Sequence, residues 1–592
     1  MRSTLNVRTV TVHWVTGRLD VRVGLALPFT AADKGRMRFS ALGDSAMVVE
    51  CGEGISPHTL QRVRVFANAL ERAAIPDVTD IVAAFATVTV FYLPTKIAAS
   101  QELPHRQMLR VLEGIGAGLS PDRFSAVENE TKVREIPVCY GDEYGPDLPT
   151  VARHTGLSPR QVIEVHSEAE YLVHAIGFSP GFPYMGGLPS ALHAPRLSTP
   201  RVRVEAGSVG IGGAQTGVYP LATPGGWQLI GRTPVRLFDL RRETPSLLQI
   251  GDRVKFRAIT SEEFIAAQSA DEPASGAPQK PSTSSPQVRV LRAGMLTTVQ
   301  DLGRIGHRAD GVPLSGAADP VAVRVANWLV GNDENAAALE FTLVGPELEF
   351  LADAVVALGG AAFDDFPRWQ PVRVPAGTRL TFGAAREGCR GYLAIGGGFD
   401  VEPVLGSAST FLRAAFGGFA GRALQDGDEL PWHAQTRHVV TGWRIDPRVV
   451  PPYLPAPTLR VVRGAHAEQF LECLLETEFT VTPRSDRMGL RLQGSSLRRG
   501  EIGELVSTAV TPGTIQVPPD GLPILLLSDA QTIGGYPQAA HVITVDLPLI
   551  AQLRPGDRLR FREVTLDEAQ KLLLAREHAL AILHEGLSEK FR

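Results

Sequence analysis

The residues best suited to chemistry in this chain lie in a segment that is dense in glycine, proline and aromatic side chains, Tyr171 to Gly231. Within it, the sequence GSVGIGGAQTG at residues 207–217 predicts a loop whose backbone N–H groups face an anion. The predicted binding residues of this loop are Gly212, Gly213, Gln215 and Thr216, of which Gln215 is also a candidate catalytic residue. The alternative is that these glycines turn the corners of a small barrel.

Other side chains near this segment have the chemistry to complete a site. Arg196, Arg201 and Arg203 lie just upstream of the loop and are predicted to clamp a phosphate or carboxylate; the alternative is a solvated strand face. His174 is a candidate general base, although a lone histidine at a strand end is more often structural. Tyr219 is either a wall of the site or a core aromatic residue.

A second group of polar residues lies in the C-terminal half of the chain. Three of the predicted binding residues belong to the sequence QDLGR: Gln300, Asp301 and Arg304. Arg487 of SDRMG is another, with a structural ion pair to Asp486 as the alternative. The last three predicted site residues precede a Gly-Gly-Tyr turn. They are Asp529 as a catalytic residue and Gln531 and Thr532 as binding residues. No metal site is predicted, because neither His466 nor His541 has a second ligand at helical or hairpin spacing.

Composition and charge restrict the class of protein. The chain has 592 residues and 44% hydrophobic side chains, which is enough for several domain cores. Its formal net charge is only -4 and its basic residues are dispersed, so a nucleic-acid ligand is not expected. The four cysteines stand far apart, which predicts a reducing, cytoplasmic environment. No apolar run approaches the ~20 residues that cross a bilayer.

Changes in composition divide the chain into six segments. Residues 267–287 are rich in Ser, Pro and Ala and predict a disordered linker between two modules, and a proline-rich passage near residue 446 predicts a weaker boundary. The predicted segments are an extension that is disordered or precedes the true start (1–36), a small α+β domain (37–126), a barrel (127–266), the linker (267–287), the first part of the second module (288–445), and its second part with a barrel and a C-terminal helix (446–592).

Hydrophobic periodicity predicts several elements within these segments. The predicted helices are Pro57–Ala73, one near Pro159–Glu170 and Leu566–Leu587. Residues 37–52 predict a strand, a turn and a strand, whereas residues 80–93 predict a single strand.

Three short patterns occur in the same order in both halves of the chain. EAGSVGI, PGGWQLIG and QIGDRVKF in the first half correspond to PGTIQVP, IGGYPQAA and LRPGDRLRF in the second. A single match of this kind arises by chance, but three in order indicate duplication. The sequence therefore predicts two related barrels.

The motifs of the two halves resemble a known pair of proteins. The stretch from Glu135 through GFSPGFPYMGGLP to QIGDRVKF is similar to the B subunit of bacterial 5-oxoprolinase. QDLGR, the GSAST sequence at residues 406–410, SDRMGLRLQG, GTIQVPPDG and DAQTIGGYP resemble the C subunit. The same pair resembles the carboxyltransferase region of urea carboxylase. The resemblance implies a mainly β fold with α+β elements, in which two cyclophilin-like β-barrel modules are fused and the first is preceded by a small α+β domain.

The resemblance also implies a reaction, its cosubstrate and a partner. Opening the lactam of 5-oxo-L-proline to give L-glutamate requires activation, because amide resonance makes the carbonyl a poor electrophile. The family uses ATP, with Mg²⁺ bound through the nucleotide, and a separate A-type subunit; a homo-oligomer is left open. The chain lacks a P-loop, a G-x-S-x-G elbow and a biotin attachment sequence, so no biotin is expected on this polypeptide.

Two alternatives to the hydrolase remain at this point. One is a carboxyltransferase component that acts on urea or a related amide with a biotin carrier on another polypeptide. The other is a binding protein that inhibits a histidine kinase and has no activity of its own.

Overall fold

The computed structural model describes residues 12–15, 18–21, 37–97, 102–119, 133–270, 286–364, 366–435, 437–497 and 505–591. Of the predicted extension, only the two short strands Val12–Val15 and Arg18–Val21 belong to these ranges, and they pair antiparallel. The rest of the prediction for residues 1–36 lies outside the described residues.

A small α+β domain opens the first module. Its strands are Arg38–Ala41, Ala46–Glu50, Val78–Ala84 and Thr87–Tyr92, and its helices are Pro57–Ala73, Pro94–Ile97 and Pro104–Ala117. The first helix has the predicted bounds because the Ser56 side chain accepts the Thr59 N–H and proline occupies the first turn. The prediction of one strand over residues 80–93 was wrong. Phe85 takes a positive φ of 50° there and turns the chain into a hairpin.

The first barrel is a closed ring of seven strands. In spatial order they are Val133–Tyr140, Gln228–Arg232, Ser208–Gly212, Gln215–Val218, Pro183–Gly186, Glu170–Ile176 and Arg253–Ile259. The last strand pairs antiparallel with Glu170–Ile176 and parallel with Val133–Tyr140, which closes the ring. Helices Leu148–Thr155 and Pro159–Glu168 cover one end, and only the second was predicted. Strand Glu170–Ile176 of the ring also pairs with the sheet of the α+β domain, through Ala175 and Ala84.

The second barrel repeats this arrangement strand for strand. In the same spatial order its strands are Thr458–Arg463, Gln538–Val542, Thr514–Gln516, Ile524–Leu526, Gly489–Gln493, Phe479–Val481 and Arg558–Glu563. Its first and last strands also pair in parallel. The equivalent strands carry the three repeated sequence patterns, so the prediction of two related barrels is confirmed.

Between the two barrels along the chain lies a sandwich of two sheets. One sheet contains Gln287–Arg292, Glu347–Phe350, Arg379–Thr381 and Glu429–Pro431; the other contains Thr297–Gln300, Ala338–Thr342, Ala354–Phe363, Pro371–Val374 and Ala385–Ile395. Buried apolar side chains from both sheets form one core, including Val290, Phe350, Phe341 and Leu393. The second module is therefore a sandwich followed by a barrel.

The C-terminal helix connects the second module to the first. The remaining helices are Ser261–Ala270, Pro320–Leu329, Ala467–Glu476, Leu547–Ala551 and Leu566–Ser588. The last one packs on the α+β domain, where Gln570 Nε2 donates to the Tyr92 hydroxyl at 3.1 Å and to the Asp44 carbonyl at 2.8 Å. Among the described residues, no helix combines the length and the apolar character needed to cross a membrane.

The ends of the predicted linker are structured. Helix Ser261–Ala270 extends four residues into the predicted range, and strand Gln287–Arg292 begins at its last residue. The rest of the linker prediction, residues 271–285, lies outside the described residues.

Candidate active site between the two barrels

A cleft that is partly open to solvent lies where the two barrels and the sandwich meet, and its cavity volume is about 40 Å³. The first module lines it with Phe178, Ser179, Pro180, Leu221 and Thr223. The second module lines it with Gly311, Pro313, Phe411, Arg413, Met488, Asp529 and Gln531. Neither module alone provides all of its walls.

The barrels contribute topologically equivalent loops to this cleft. Leu221 and Thr223 follow strand Gln215–Val218, and Asp529 and Gln531 follow the equivalent strand Ile524–Leu526. Phe178 and Met488 likewise come from equivalent connections between the sixth and fifth strands in the spatial order of each ring. The duplication therefore places matching loops against each other, while their side chains differ: the first barrel supplies apolar and hydroxyl groups and the second supplies charge.

Residues 308–316 of the second module bridge the two barrels. The Asp310 carbonyl accepts the Gly181 N–H at 2.8 Å, and the Ser315 N–H donates to the Ser528 carbonyl at 2.9 Å. At the start of the bridge, buried Arg308 forms an ion pair with Asp80 of the α+β domain at 3.1 Å. The bridge forms the floor of the cleft and fixes the spacing of the barrels.

A buried group of charges supports the second-barrel wall. Arg487 Nε and Nη2 donate to the two carboxylate oxygens of Asp529 at 2.9 and 3.2 Å, and Nη1 donates to Glu340. Nη2 also donates to the Gly316 carbonyl at 2.6 Å. Arg390 Nε lies 3.8 Å from Glu340, so two guanidinium groups balance two carboxylates.

Burial acts to raise the pKa of Glu340, but other groups outweigh it. Arg487, Arg390 and hydrogen bonds from the Ala318 N–H and the Tyr392 hydroxyl lower this pKa below its usual value. The carboxylate therefore stays ionised and holds Arg487, which in turn fixes Asp529 at the cleft.

The QDLGR residues hold the loop that carries two further cleft residues. The Asp301 carboxylate accepts the Ser407 hydroxyl at 2.7 Å, the Ala408 N–H at 2.7 Å and the Ser409 hydroxyl. Arg304 donates to the carbonyls of Val404 and Ser409, and Gln300 donates to the Thr410 carbonyl at 3.3 Å. These bonds order the GSAST turn immediately before Phe411 and Arg413.

Burial lowers the pKa of Arg304 to about 10, and the nearby Asp301 and Asp529 charges oppose that shift. Its side chain is fully buried, and its guanidinium lies over the Phe416 ring, 4.9 Å from the ring centre. Arg304 is thus a structural cation behind the cleft wall.

Several buried polar atoms around the cleft have no hydrogen-bond partner within the described part of the protein. They include the hydroxyl oxygens of Ser179, Thr223, Ser315 and Thr532. Leaving such a group without a partner costs roughly 1–3 kcal/mol. Ser179 and Thr223 are among the residues that line the cleft, although their hydroxyl oxygens are themselves buried.

Comparison with known proteins agrees with the division into two modules. Residues 37–248 match the family model described as the carboxyltransferase domain, subdomain C and D, and residues 310–563 match subdomain A and B. The chain is 43% identical over 239 residues to the 5-oxoprolinase B subunit of Bacillus subtilis (strain 168), which is 39% of this chain and 96% of that protein. It is 42% identical over 294 residues to the 5-oxoprolinase C subunit of Escherichia coli (strain K12), which is 48% of this chain and 93% of that protein.

This chain belongs to the carboxyltransferase-domain family of the 5-oxoprolinase B and C subunits. A solved structure of TTHA0988 matches both modules within one chain, with 36% identity and a TM-score of 0.73, and covers 87% of this chain and 99% of that one. A putative urea carboxylase of Emericella nidulans is 33% identical over 311 residues, which is 49% of this chain and 25% of that protein. The family resemblance drawn from the motifs is confirmed.

Of the site residues predicted from the sequence, those of the second barrel lie at the cleft. Asp529 and Gln531 line it, and Arg487 holds Asp529 from behind rather than pairing with Asp486. Gln531 Nε2 donates to Gln516 Oε1 at 3.3 Å. Buried Thr532 lies beside them, with its hydroxyl among the unpartnered atoms.

The predicted anion loop at residues 207–217 is instead a β-hairpin. Strands Ser208–Gly212 and Gln215–Val218 pair with each other, and Gly213 has the positive φ, 64°, that suits the first position of a two-residue turn. Its N–H donates to the Ala194 carbonyl at 2.8 Å. The expectation of backbone N–H groups free to face an anion was therefore wrong, because the barrel ladder uses them.

Side chains of this hairpin also point to structural roles. Buried Thr216 bonds His166 Nε2 at 3.0 Å and donates to the Gly210 carbonyl. A Cβ at Gly212 would lie 2.7 Å from the Trp227 indole, so the glycine makes room for that ring. Gln215 stands at the tip of the hairpin, at the opposite end of its strand from the cleft loop.

The three upstream arginines do not reach the cleft. Arg201 Nη2 contacts Asp147 at 2.7 Å, and exposed Arg203 pairs with Glu205 at 2.7 Å. Exposed Arg196 lies over the Trp227 ring, 5.8 Å from its centre. Arg203 thus follows the alternative of a solvated strand face.

His174 and Tyr219 lie in an aromatic core beside the cleft. His174 is buried and stacks on Phe85, and burial lowers its pKa to about 4, so it is neutral near pH 7. Tyr219 packs against Phe182, with ring centres 5.1 Å apart. Neither residue lines the cleft.

Sequence reasoning missed Arg413, Ser179 and Thr223, all of which line the cleft. Arg413 comes three residues after the GSAST sequence and Ser179 stands inside GFSPGF, so both adjoin motifs that carry the resemblance. Those motifs could have indicated Arg413 and Ser179 as site residues.

Proposed function

We propose that this chain is a component of an ATP-dependent 5-oxoprolinase that hydrolyses 5-oxo-L-proline to L-glutamate together with a separate A-type subunit. The observation that carries the proposal is that the cleft is built by both modules, and the two modules are similar to proteins named as the B and C subunits of 5-oxoprolinase. A site shared in this way requires both halves in one assembly.

The chemistry of the cleft suits a small cyclic amide. Phe178, Leu221 and Phe411 offer apolar surface to ring methylenes. The Gln531 side-chain amide offers hydrogen-bonding groups for a lactam N–H and carbonyl.

ATP, with Mg²⁺ carried on the nucleotide, belongs to the proposal because a lactam carbonyl needs activation before water can attack it. Phosphorylation of the carbonyl oxygen would supply a leaving group. The residues predicted to bind phosphate, at 207–217 and among the three arginines, are engaged in barrel and surface contacts. In this arrangement they do not fit a triphosphate.

Co-expression with a candidate A-type subunit tests the proposal. We expect the purified pair to release glutamate from 5-oxo-L-proline only when ATP is present, and either protein alone to release none. Asp529→Asn removes the negative charge of the cleft wall and one of the acceptors of Arg487, and it should lower turnover at least about tenfold. A correctly folded pair that releases no glutamate would contradict the proposed function.

A second candidate is a carboxyltransferase component that uses a biotin carrier on another polypeptide. The family-model descriptions and the 33% identity to a putative urea carboxylase favour it. The test is carboxyl transfer from a carboxylated biotin carrier domain to urea or another amide, followed with ¹⁴C-bicarbonate. Transfer by the chain without glutamate release in the first assay would favour this candidate over the hydrolase.

A further inference from the structure

Arg413 carries the one positive charge among the residues that line the cleft, within the described part of the chain. The GSAST turn that precedes it is ordered by Asp301, so the backbone before Arg413 is fixed. Its side chain is 43% exposed and faces Asp486 at a distance of 3.6 Å, beyond hydrogen-bond range. An ion pair this open to solvent stabilises little.

Asp486 does not depend on Arg413 for its contacts. Its Oδ1 accepts the Met488 N–H at 2.8 Å and the Gly489 N–H at 3.3 Å, which stabilise the turn before strand Gly489–Gln493. Arg413 can therefore turn toward an anion in the cleft while Asp486 keeps its backbone partners.

The other charged residue of the cleft does not repel an anion strongly. Both carboxylate oxygens of Asp529 contact Arg487, and the adjoining Glu340 also has Arg390 nearby. Among the described residues that line the cleft, Arg413 is thus the charge held only by a solvent-exposed ion pair.

We infer that Arg413 binds the carboxylate of the substrate and is the residue that makes the cleft prefer 5-oxo-L-proline to a lactam without a carboxylate. This assignment rests on the proposed function. The guanidinium fork can donate to both carboxylate oxygens, and Phe411 two residues earlier offers a surface for the ring.

Calorimetric titration of the full chain tests the assignment with two ligands that differ only in the carboxylate, 5-oxo-L-proline and 2-pyrrolidinone. The wild-type chain should bind 5-oxo-L-proline at least about tenfold more tightly than 2-pyrrolidinone. Arg413→Met should remove that difference and leave binding of 2-pyrrolidinone unchanged. Arg413→Lys should restore part of it. Arg484→Met removes an exposed arginine outside the cleft and is the matched control.

Three results would overturn the assignment. The first is equal weakening of both ligands in Arg413→Met, which would indicate a damaged cleft. The second is a loss of ATP binding in Arg413→Met with 5-oxo-L-proline binding intact, which would make the bound anion a phosphate. The third is the absence of lactam binding to the wild-type chain; the proposed function would still stand if the assembled pair released glutamate.

Discussion

Replacing Arg487 by methionine should destabilise the second barrel strongly. The guanidinium makes five hydrogen bonds, to Asp529 twice and to Glu340, Gly316 and Ser528, and it is buried. Methionine fills a similar volume but leaves Asp529 and Glu340 buried without their shared cation. Removing one partner of a buried charge network costs about 3–5 kcal/mol. We expect that loss in the free energy of unfolding at pH 7.5.

The loss should depend on pH in a defined direction. In the wild-type protein, the lowered pKa of Glu340 contributes stability that is present above the unfolded-state pKa and is lost as pH falls through the folded-state pKa. In Arg487→Met, burial without the guanidinium should raise the pKa of Glu340. The carboxyl then takes up a proton as pH falls, which relieves the penalty. The difference in the free energy of unfolding between the wild-type protein and Arg487→Met should therefore become smaller from pH 7.5 to pH 5.

Urea denaturation, with hydrogen exchange of strand Gly489–Gln493 as a local measure, checks both expectations. Arg484→Met, an exposed change three residues away, should stay within about 0.5 kcal/mol of wild type. Combining Arg487→Met with Glu340→Gln should recover part of the loss, because one unpaired charge is removed. A loss under about 1 kcal/mol, or a difference that stays constant with pH, would refute the reasoning.

Three further predictions address single side chains. Tyr392→Phe removes a hydroxyl that donates to Glu340 at 2.8 Å and accepts the Asp319 N–H at 2.9 Å, and urea denaturation should show a loss of about 1–3 kcal/mol. Gln531→Ala should lower turnover of the assembled enzyme at least about tenfold in the glutamate assay, whereas Gln215→Ala, away from the cleft, should leave turnover within about twofold. Burial lowers the pKa of His174 to about 4, so the unfolded chain takes up a proton there first as pH falls below about 6.5; His174 alone should lower the free energy of unfolding by about 2 kcal/mol at pH 5, and the drop in His174→Asn should be smaller by that amount.

Local signals in the sequence were sufficient for many elements but not for all of them. Helix Pro57–Ala73 was predictable to the residue because its capping serine and its proline stand at its start. The hairpin at Phe85 was not, because an aromatic residue at positive φ replaces the glycine or asparagine that normally marks such a turn. The equivalence of strands in the two barrels was predictable because three short patterns occur in the same order in both halves of the chain.

The candidate site was harder to predict because its contacts join distant parts of the chain. Asp301 was predicted to bind a ligand, but its partners Ser407 and Ser409 lie more than 100 residues away, and no local pattern indicates that they satisfy it. The glycine-rich hairpin was misread for a related reason. Glycine density signals close approach, and here the approaching group is the Trp227 ring rather than a ligand.

The contacts between the modules also bear on how the site is assembled. Arg308 with Asp80, and Gln570 with Tyr92, join parts of the chain that correspond to two different proteins among its relatives, the B and C subunits. For separate proteins, formation of such an interface falls off on dilution. Within one chain it is an intramolecular event with a fixed effective concentration. The cleft should therefore persist at any protein concentration, and every copy of one module is matched by a single copy of the other.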